Sequence, residues 1–565
     1  MRFYTLLAIF TFFAPSIALI AQQLPSNACE LQIENYRKHV AYLASDALEG
    51  RGTGSAGEAK AAEYIAQQYK EIGLQPLGES GSFFQRFEFY AGRKYANDNF
   101  LTIDGRTYPL DSAYLPMPRS GNGKISGKIV DVGYGIIAPN LKRDDYANIK
   151  PKALKGRIAL MRYPSPDNNP HSDFAPYLDA DKRVAQAIER GAIGVIFVNN
   201  DAATPNPEVN LALKLTTYTI PVVIVKPGNI ADVLLAKSAK KAKLTVQLNP
   251  IKKVATNVIA LLDNKAPLTV VFGAHYDHLG HGEMGGSLYR GPAEIHNGAD
   301  DNASGVATII ELARSLQDNP RISYNYLFIA FSGEELGLYG SNYYANNPTI
   351  PINQITAMVN YDMVGRLNEE KQIQINGFGT SPVWQIIPNL SNPDGLKIQT
   401  TESGVGPSDH TSFYLKNIPV LHFFTGQHND YHKPSDDTEK VNFDGMCSIA
   451  NLTLALLDGL QDKGQLGFTK TQDSNNANAP RFTVTLGVVP DYMFDGQGMK
   501  ISAVNDDKPA HKAGLLAGDV VTALGKHKVT DMTSYMQALS QFKKGDATSV
   551  TFIRKNVSLT MPINF

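Results

Sequence analysis

Five short segments between residues 273 and 436 carry imidazole and carboxylate side chains at the ends of apolar runs. They span residues 273–278, 298–305, 331–337, 359–363 and 430–436. A charged group at the end of a buried strand is costly unless it is paired or bound to a metal. Imidazole and carboxylate without thiolate suit catalytic zinc and fit structural zinc poorly. Each segment alone would also suit an ordinary structural role, but together they indicate a catalytic metal centre.

The elements that must position these segments form an alternating pattern. Apolar strand-like runs are separated or followed by helical patterns, and this predicts a largely parallel sheet covered by helices on both faces. The strand-like runs are 258–262, 268–274, 326–331, 356–360 and 419–424, and the helical patterns are 303–316, 382–389 and 443–460. Ligands of such sheets gather at the carboxyl ends of the strands, where the five segments fall.

Upstream of this block, residues 34–73 read as largely helical, with a loop at 49–55 and a stop at Gly73. Residues 97–251 instead contain short β-like runs and one helix, and lack a His, Glu or Cys cluster with ligand spacing. This β-rich stretch resembles a protease-associated domain. Such an insert would cover the active site or shape substrate access; a purely structural role is the alternative.

The C-terminal region is a separate unit. Residues 463–480 read as a linker whose second half is polar and rich in asparagine. Residues 481–565 resemble a PDZ domain, on the pieces 486–488, 499–504, 509–515 and 516–521. PDZ domains bind extended peptides by adding a strand to a sheet edge, so a peptide or protein ligand is expected here.

The order and local motifs of the five segments resemble the co-catalytic zinc exopeptidase family, which includes secreted bacterial aminopeptidases and glutamate carboxypeptidase II. The resemblance covers residues 30–96 and 252–462, with 97–251 as an inserted domain. It implies an α/β zinc exopeptidase fold, a mostly parallel sheet flanked by helices. It also implies two zinc ions and peptide substrates that lose residues from their free N-terminus.

The same resemblance implies a role for particular residues. Asp300 would be the carboxylate that bridges the two zinc ions. The other implied ligands are His275 and Asp362 at one site, and Glu335 and His432 at the other. Asp277 would orient His275, because metal-bound imidazoles usually need such a partner. Asp301 would shape the peptide bond beside Asp300, which is often cis in this family, and Tyr431 would stabilise the tetrahedral oxyanion.

The adjacent residues Glu334 and Glu335 allow a division of labour. Neighbouring residues at a strand end point in different directions, so one can bind metal while the other faces substrate and water. With Glu335 as the ligand, Glu334 is the candidate general base. It would take the proton of a zinc-activated water and return it to the leaving amine.

Three other functions remain open at this point. A glutaminyl cyclase has a related fold with a single zinc, and a carboxypeptidase or dipeptidase shares the metal cage. A non-catalytic binding protein would resemble transferrin receptor, but here the ligand set is complete. A serine triad at 408–410 is disfavoured because its three residues are consecutive and no nucleophile elbow is present.

The N-terminus predicts export. A basic Arg2 precedes an apolar run from Phe3 to Ala21, which reads as a secretory signal over residues 1–21 cleaved after Ala21. The product would be periplasmic or extracellular. The alternatives are an uncleaved anchor helix and, less favoured, a lipoprotein attached through Cys29.

Composition limits the partners. Hydrophobic residues make up 43% of the 565 residues and charged residues 19%, and the net charge of -1 favours neither nucleic acid nor an anionic membrane. The two cysteines, Cys29 and Cys447, allow either a disulfide or two unrelated thiols.

Overall fold

The computed structural model of this protein describes most of the chain after the first 26 residues. The described residues are 27–150, 152–169, 172–202, 204, 206, 210–211, 217–236, 241–471, 484–490, 497–504, 508–530, 534–535, 538–539, 541–543 and 545–565. The expected signal at 1–21 and the second half of the expected linker lie outside them.

The helices and strands are numbered here in chain order. The helices are α1 (Asn27–Leu43), α2 (Ala56–Ile72), α3 (Ala180–Glu189), α4 (Asn229–Leu235), α5 (Gly305–Asp318), α6 (Tyr339–Asn346), α7 (His410–Tyr414), α8 (Phe443–Leu460) and α9 (Pro509–Lys512). The strands before the catalytic motifs are β1 (Gln75–Pro76), β2 (Phe84–Tyr95), β3 (Phe100–Ile103), β4 (Arg106–Tyr108), β5 (Tyr114–Pro116), β6 (Gly123–Asp131), β7 (Ile137–Ala138), β8 (Arg143–Asp144), β9 (Ile158–Arg162), β10 (Gly194–Val198), β11 (Val222–Val225) and β12 (Lys241–Val246). The later strands are β13 (Leu248–Leu262), β14 (Thr269–His275), β15 (Asn325–Phe331), β16 (Ile355–Tyr361), β17 (Gln372–Asn376), β18 (Lys397–Thr401), β19 (Val420–Phe424), β20 (Val488–Pro490), β21 (Met499–Val504), β22 (Val520–Leu524), β23 (His527–Lys528), β24 (Ala547–Arg554) and β25 (Val557–Asn564).

The largest sheet runs in the order β1-β13-β15-β14-β16-β19-β17-β18, and β2 pairs with β13. Its four central strands, β15, β14, β16 and β19, are parallel. The strands next to them, β13 and β17, run antiparallel to this centre. The expected α/β architecture is therefore present, with a parallel centre and antiparallel strands towards both edges.

Two apolar cores cover the two faces of this sheet. On one face α1, α2, α5 and α8 pack against alternate residues of the central strands, such as Phe272 and Phe328. On the other face α6 and α7 pack against the intervening residues, such as Val271 and Ile329. Burial on both faces explains why these strands read as continuous apolar runs rather than as alternating ones.

A second sheet lies between β2 and β13 in the sequence, with the order β4-β3-β12-β6-β9-β10-β11-β5. The long antiparallel pair of β2 with β13 leads the chain out of the first sheet and back into it. A third sheet, β20-β21-β22-β24-β25 with β23 on β22, has its own apolar core in the C-terminal region.

Two further features concern the chain as a whole. Cys447 in α8 is disulfide-bonded, and Cys29 is the other cysteine of the sequence. Among the helices that the structure describes, none has the length and apolar character needed to span a membrane.

Candidate metal centre and active site

The predicted site residues come together at one edge of the first sheet. β14 ends at His275, β15 is followed by Glu334 and Glu335, and β16 is followed by Asp362. These strands are parallel neighbours, so their carboxyl ends meet at the same edge. A π-helical turn over Ala299–Ser304 precedes α5 and supplies the bridging candidates. The loop after β19 supplies Tyr431 and His432.

One half of the cluster surrounds the imidazole of His275, which is buried. Its Nε2 lies 3.3 Å from Asp301 Oδ1 and 3.4 Å from Asp362 Oδ1. Its Nδ1 donates to the backbone carbonyl of Asp277 at 3.1 Å. That hydrogen bond fixes the tautomer and directs the Nε2 lone pair at the two carboxylates.

The other half surrounds His432. Its Nε2 lies 3.2 Å from Asp301 Oδ2 and 3.2 Å from Glu335 Oε2. Its Nδ1 donates to the carbonyl of Gly286 at 2.9 Å, so the Nε2 lone pair again faces the carboxylates. A second imidazole, His278, reaches Glu335 Oε1 at 2.8 Å and stays 3.9 Å from Asp301.

These separations suit tetrahedral zinc. Two ligand atoms at about 2.0–2.1 Å from one zinc ion, at the tetrahedral angle, lie about 3.3 Å apart. The four distances from Nε2 of His275 and His432 to the carboxylates of Asp301, Asp362 and Glu335 are 3.2–3.4 Å. Two groups of imidazole and carboxylate ligand atoms sharing Asp301 can each hold an ion, namely His275 with Asp362 and His278 with Glu335. The residues present therefore fit two metal ions that share one carboxylate.

The shared carboxylate belongs to Asp301, and this corrects the expectation for Asp300. The Asp300 side chain turns away from the cluster, where Oδ1 accepts from the backbone N–H of Gly365 at 2.6 Å. Its Oδ2 lies 3.1 Å from Nε2 of His428. The cis peptide bond also lies one residue further on than expected, between Asp301 and Asn302. The expectation from the resemblance was therefore wrong by one residue, because Asp301 and not Asp300 faces His275 and His432.

The sequence of this chain matches two known protein families. Residues 257–457 match peptidase family M28, and residues 464–565 match the PDZ domain. The chain carries a family M28 peptidase domain and a C-terminal PDZ domain.

Similar proteins include two curated aminopeptidases. Aminopeptidase YwaD of Bacillus subtilis is 25% identical over 466 residues, which cover 78% of this chain and 90% of that protein. Aminopeptidase Y of Saccharomyces cerevisiae is 24% identical over 471 residues, which cover 76% and 79%. A solved structure of BSAP, a zinc aminopeptidase from Bacillus subtilis, is 23% identical and covers 79% of this chain and 97% of that one, with a TM-score of 0.44.

Within the M28 domain, Glu334 and Glu335 have different surroundings, as their adjacency predicted. Burial would raise the pKa of Glu335, but the facing His432 and His278 lower it to about 2. Burial raises the pKa of Glu334 well above its usual range, only partly opposed by His275 and reinforced by Asp362. Glu334 Oε2 lies 4.0 Å from His275 Nε2, beside the cluster rather than within it.

Asp277 and Tyr431 also lie at the site. The carboxylate of Asp277 accepts from Thr53 Oγ1 at 2.8 Å and from the backbone N–H of Glu334 at 3.1 Å. Asp277 thus orients His275 through its carbonyl and holds Glu334 through its side chain. The Tyr431 ring stacks on His432 with centroids 3.8 Å apart, and burial raises the pKa of its phenol, which stays a donor.

Sequence analysis missed Arg51, a buried cation that ties together the loops of the M28 site. Its guanidinium donates to the carbonyl oxygens of Tyr276, Asn297 and Gly298 at 2.7, 2.7 and 3.0 Å, and also to that of Leu43. Tyr276 directly follows His275, and Gly298 lies three residues before Asp301. Arg51 therefore connects the two segments that carry these candidate ligands. Arg51 lies in a glycine-rich loop, and nothing in the surrounding sequence distinguishes it from an arginine on the protein surface.

Asp436 was also missed as a support, although it lies in the fifth segment. Its Oδ2 accepts from the backbone N–H groups of Asp300 and Asp301, and Oδ1 lies 3.2 Å from Arg366 Nη2. The same arginine nitrogen reaches Asp430 at 3.0 Å. The loop carrying His432 is therefore tied to the turn carrying Asp301.

A cavity of about 290 Å³ opens beside the cluster. The candidate ligands and Glu334 line one part of it, together with Tyr431. The remaining wall comes from β17, β18, β19 and the loops beside them. The site therefore has room for a substrate residue next to the candidate metal ligands.

Proposed function

We propose that this protein is a zinc-dependent aminopeptidase that hydrolyses the N-terminal residue of peptides. The observation that carries the proposal is the position of Asp301 between two imidazole and carboxylate pairs, with Glu334 facing the same cavity. Family M28 membership and the aminopeptidase names of the similar proteins support the same reaction.

The proposed ligand sets follow from the distances. His275 and Asp362 would hold one zinc ion, Glu335 and His432 would hold the other, and Asp301 would be the ligand shared by both. His432 is preferred to His278 because its Nε2 lies equally close to Asp301 and Glu335. His278 then serves as the hydrogen-bond partner of Glu335. Zinc bound here would lower the pKa of a water molecule and polarise the peptide carbonyl.

The protein side chains then move the protons. Glu334 takes a proton from the attacking water as the oxygen forms a bond to the carbonyl carbon. The same carboxyl group gives that proton to the amine nitrogen as the C–N bond breaks. The phenol of Tyr431 donates a hydrogen bond to the oxyanion that develops on the carbonyl oxygen.

The alternatives have less support. A glutaminyl cyclase needs a single zinc, whereas the two ligand pairs here favour two. The carboxypeptidase and dipeptidase alternatives share the cage, but the similar proteins named above are aminopeptidases. A non-catalytic receptor would have no need of Glu334 beside a complete ligand set.

Export is also part of the proposal. Residues 1–21 have the basic start and apolar run of a secretory signal, and one similar protein is a probable lipoprotein aminopeptidase of Mycobacterium tuberculosis. Sequencing the N-terminus of the protein recovered from its native host tests this directly. A mature chain beginning at Gln22 is expected, and a chain retaining Met1 would contradict it.

The PDZ domain is proposed to bind an extended peptide segment of a substrate or partner. The proposed catalytic residues all lie between 275 and 432, whereas this domain has its own core beyond residue 483. Truncation after Thr471 keeps the contacts that Gly464, Leu466 and Thr471 make with the catalytic domain. It should therefore preserve hydrolysis of dipeptides and reduce that of long peptides. Loss of dipeptide hydrolysis from a folded truncated protein would contradict this division.

One experiment tests the central proposal. Matched peptides with free and N-acetylated termini are incubated with the enzyme, with and without a chelator, and bound zinc is counted. Hydrolysis of free-terminus peptides alone, its loss on chelation and two zinc ions per chain are the expected results. Cleavage from the C-terminus would instead indicate a carboxypeptidase, and cyclisation of N-terminal glutamine would indicate a glutaminyl cyclase.

A further inference from the structure

One wall of the cavity is a row of polar side chains on the edge of the first sheet. In the strand register Gln374 faces Phe424, while Asn376 faces His422 on one side and Thr401 on the other. Side chains two residues apart on a strand lie on the same face. All five side chains line the cavity, and all except Phe424 are polar.

These polar groups form a connected network. Asn376 Oδ1 accepts from Gln374 Nε2 at 2.9 Å and from Thr401 Oγ1 at 2.6 Å. Asn376 Nδ2 donates to Nδ1 of His422 at 3.1 Å. Each end of the network has one polar atom left over, Gln374 Oε1 and His422 Nε2.

Those two atoms are buried and have no hydrogen-bond partner among the described residues. Gln374 is 7% exposed and His422 4% exposed, and both line the cavity. A buried polar atom is costly to leave unpaired, so each such atom in a native site calls for a partner. A bound ligand in the cavity would supply that partner.

The two atoms form one donor and one acceptor. Because Nδ1 of His422 accepts from Asn376, the neutral ring carries its proton on Nε2, which donates. Burial lowers the pKa of His422 to about 4, so the ring is neutral at neutral pH. Gln374 Oε1 accepts. Turning both amides over and moving the ring proton reverses both roles and still leaves one donor and one acceptor.

We propose that this cavity holds the side chain of the N-terminal residue and selects an uncharged carboxamide, that of glutamine or asparagine. The inference rests on the aminopeptidase function proposed above. A carboxamide offers one acceptor and one donor group, and so pairs both atoms in either orientation of the network. Met363, Val405 and Phe424 give the cavity apolar walls suited to the methylene groups of such a side chain.

Other side chains leave part of the network unpaired. A lysine or arginine side chain only donates, so it leaves the donor of the pair facing a cation. A carboxylate leaves the acceptor facing an anion, and an aliphatic side chain leaves both atoms unpaired. Gln427 Oε1 is a further buried acceptor that lines the cavity, but it stands on the loop after β19, outside this network.

The test compares kcat/KM for dipeptides that differ only in the first residue. Glutamine should exceed its near-isostere methionine by about tenfold to a hundredfold, and should also exceed glutamate and lysine. Gln374→Met should bring the ratio of glutamine to methionine close to one. The matched control Gln67→Met makes the same change on the exposed face of α2 and should retain the ratio.

A second variant predicts a change of preference. In Gln374→Glu the new carboxylate can only accept, so Asn376 turns to donate to it and its oxygen accepts from His422 Nδ1. Both atoms left facing the cavity are then acceptors. Lysine should become the favoured first residue, with its kcat/KM rising relative to glutamine by about tenfold or more.

The outcomes separate this inference from the proposed function. If the wild-type enzyme cleaves methionine dipeptides at least as well as glutamine dipeptides, the inference is wrong and the aminopeptidase remains. A preference for glutamine that survives Gln374→Met also overturns it. If no peptide with a free N-terminus is hydrolysed by the zinc-loaded enzyme, the proposed function falls and the inference falls with it.

Discussion

The buried carboxylate of Asp436 accepts a hydrogen bond of 3.0 Å from the backbone N–H of Asp301. The same oxygen accepts from the N–H of Asp300 at 2.9 Å, and Arg366 holds the other oxygen at 3.2 Å. The turn that presents the shared carboxylate is thus anchored to the loop that presents His432. The orientation of Asp301 depends on a charged group that contacts neither candidate metal position.

This relationship predicts a positioning role for Asp436. Asp436→Asn removes the charge that pairs with Arg366 and loosens the turn, so zinc affinity should fall about 10- to 100-fold. Affinity is measured by competition with a chromophoric chelator, with circular dichroism as a check on folding. Asp444→Asn, on the exposed side of α8, should leave the affinity unchanged. Equal zinc affinity in both variants would contradict the role of Asp436.

The register of the shared carboxylate is tested by two adjacent substitutions. Asp301→Asn removes an anionic ligand of both proposed ions, so zinc content and activity should collapse, with activity falling more than about 100-fold. Asp300→Asn disturbs the hydrogen bonds with Gly365, Ser304 and His428, none of which is a proposed ligand, and should retain two zinc ions. Elemental analysis and turnover are measured on both variants. The reverse order of effects would restore Asp300 as the bridging residue.

Substitutions of Glu334 and Glu335 are predicted to have different effects on turnover and zinc content. Glu334→Gln keeps the shape of the side chain but cannot accept a proton, so it should retain both zinc ions and lose about 10²–10⁴-fold in kcat. Glu335→Gln replaces a charged ligand with a neutral amide and should lose zinc from one position. Zinc analysis and single-turnover hydrolysis distinguish the two. Near-normal turnover in both variants would remove this pair from the catalytic centre.

Glu58, which is not a candidate metal ligand, should make the stability of the protein depend on pH. Burial raises its pKa from 4.5 to about 8, although Ser332 and the backbone N–H of Gly54 donate to it. The unfolded chain releases this proton above about pH 4.5 while the folded protein keeps it to about pH 8. The contribution of Glu58 to the free energy of unfolding therefore falls across that window.

Glu58→Gln should remove this fall. The free energy of unfolding of the variant, compared with that of the wild type, should therefore rise between pH 4.5 and pH 8 by on the order of a few kcal/mol. The free energy of unfolding is measured in urea at several pH values on the chelated protein. Glu71→Gln, exposed on the same helix, should follow the wild-type profile. Parallel profiles for the wild type and Glu58→Gln would contradict the raised pKa.

Several features of this protein followed from the sequence because their causes are local. The strands buried on both faces read as apolar runs, and the polar residues that follow them read as a site. The helix predicted at 443–460 is α8 with the same bounds, and Gly73 ends α2 with a φ of 90° that glycine adopts without strain. The adjacency of Glu334 and Glu335 predicts that their side chains point in different directions, and the two carboxylates do have different surroundings.

What the tertiary structure decided depends on contacts between distant residues. Asp300 and Asp301 have the same side chain in the same turn, so only the turn geometry shows which one faces His275 and His432. Arg51 acts through carbonyl groups that lie over 200 residues away as well as near it, and no local spacing encodes them. The pairing of Gln374 with His422 through Asn376 arises from the register of β17 on β19. A sequence specifies which groups can bind metal or donate a proton, but the atoms they meet are set by how separate strands and turns pack together.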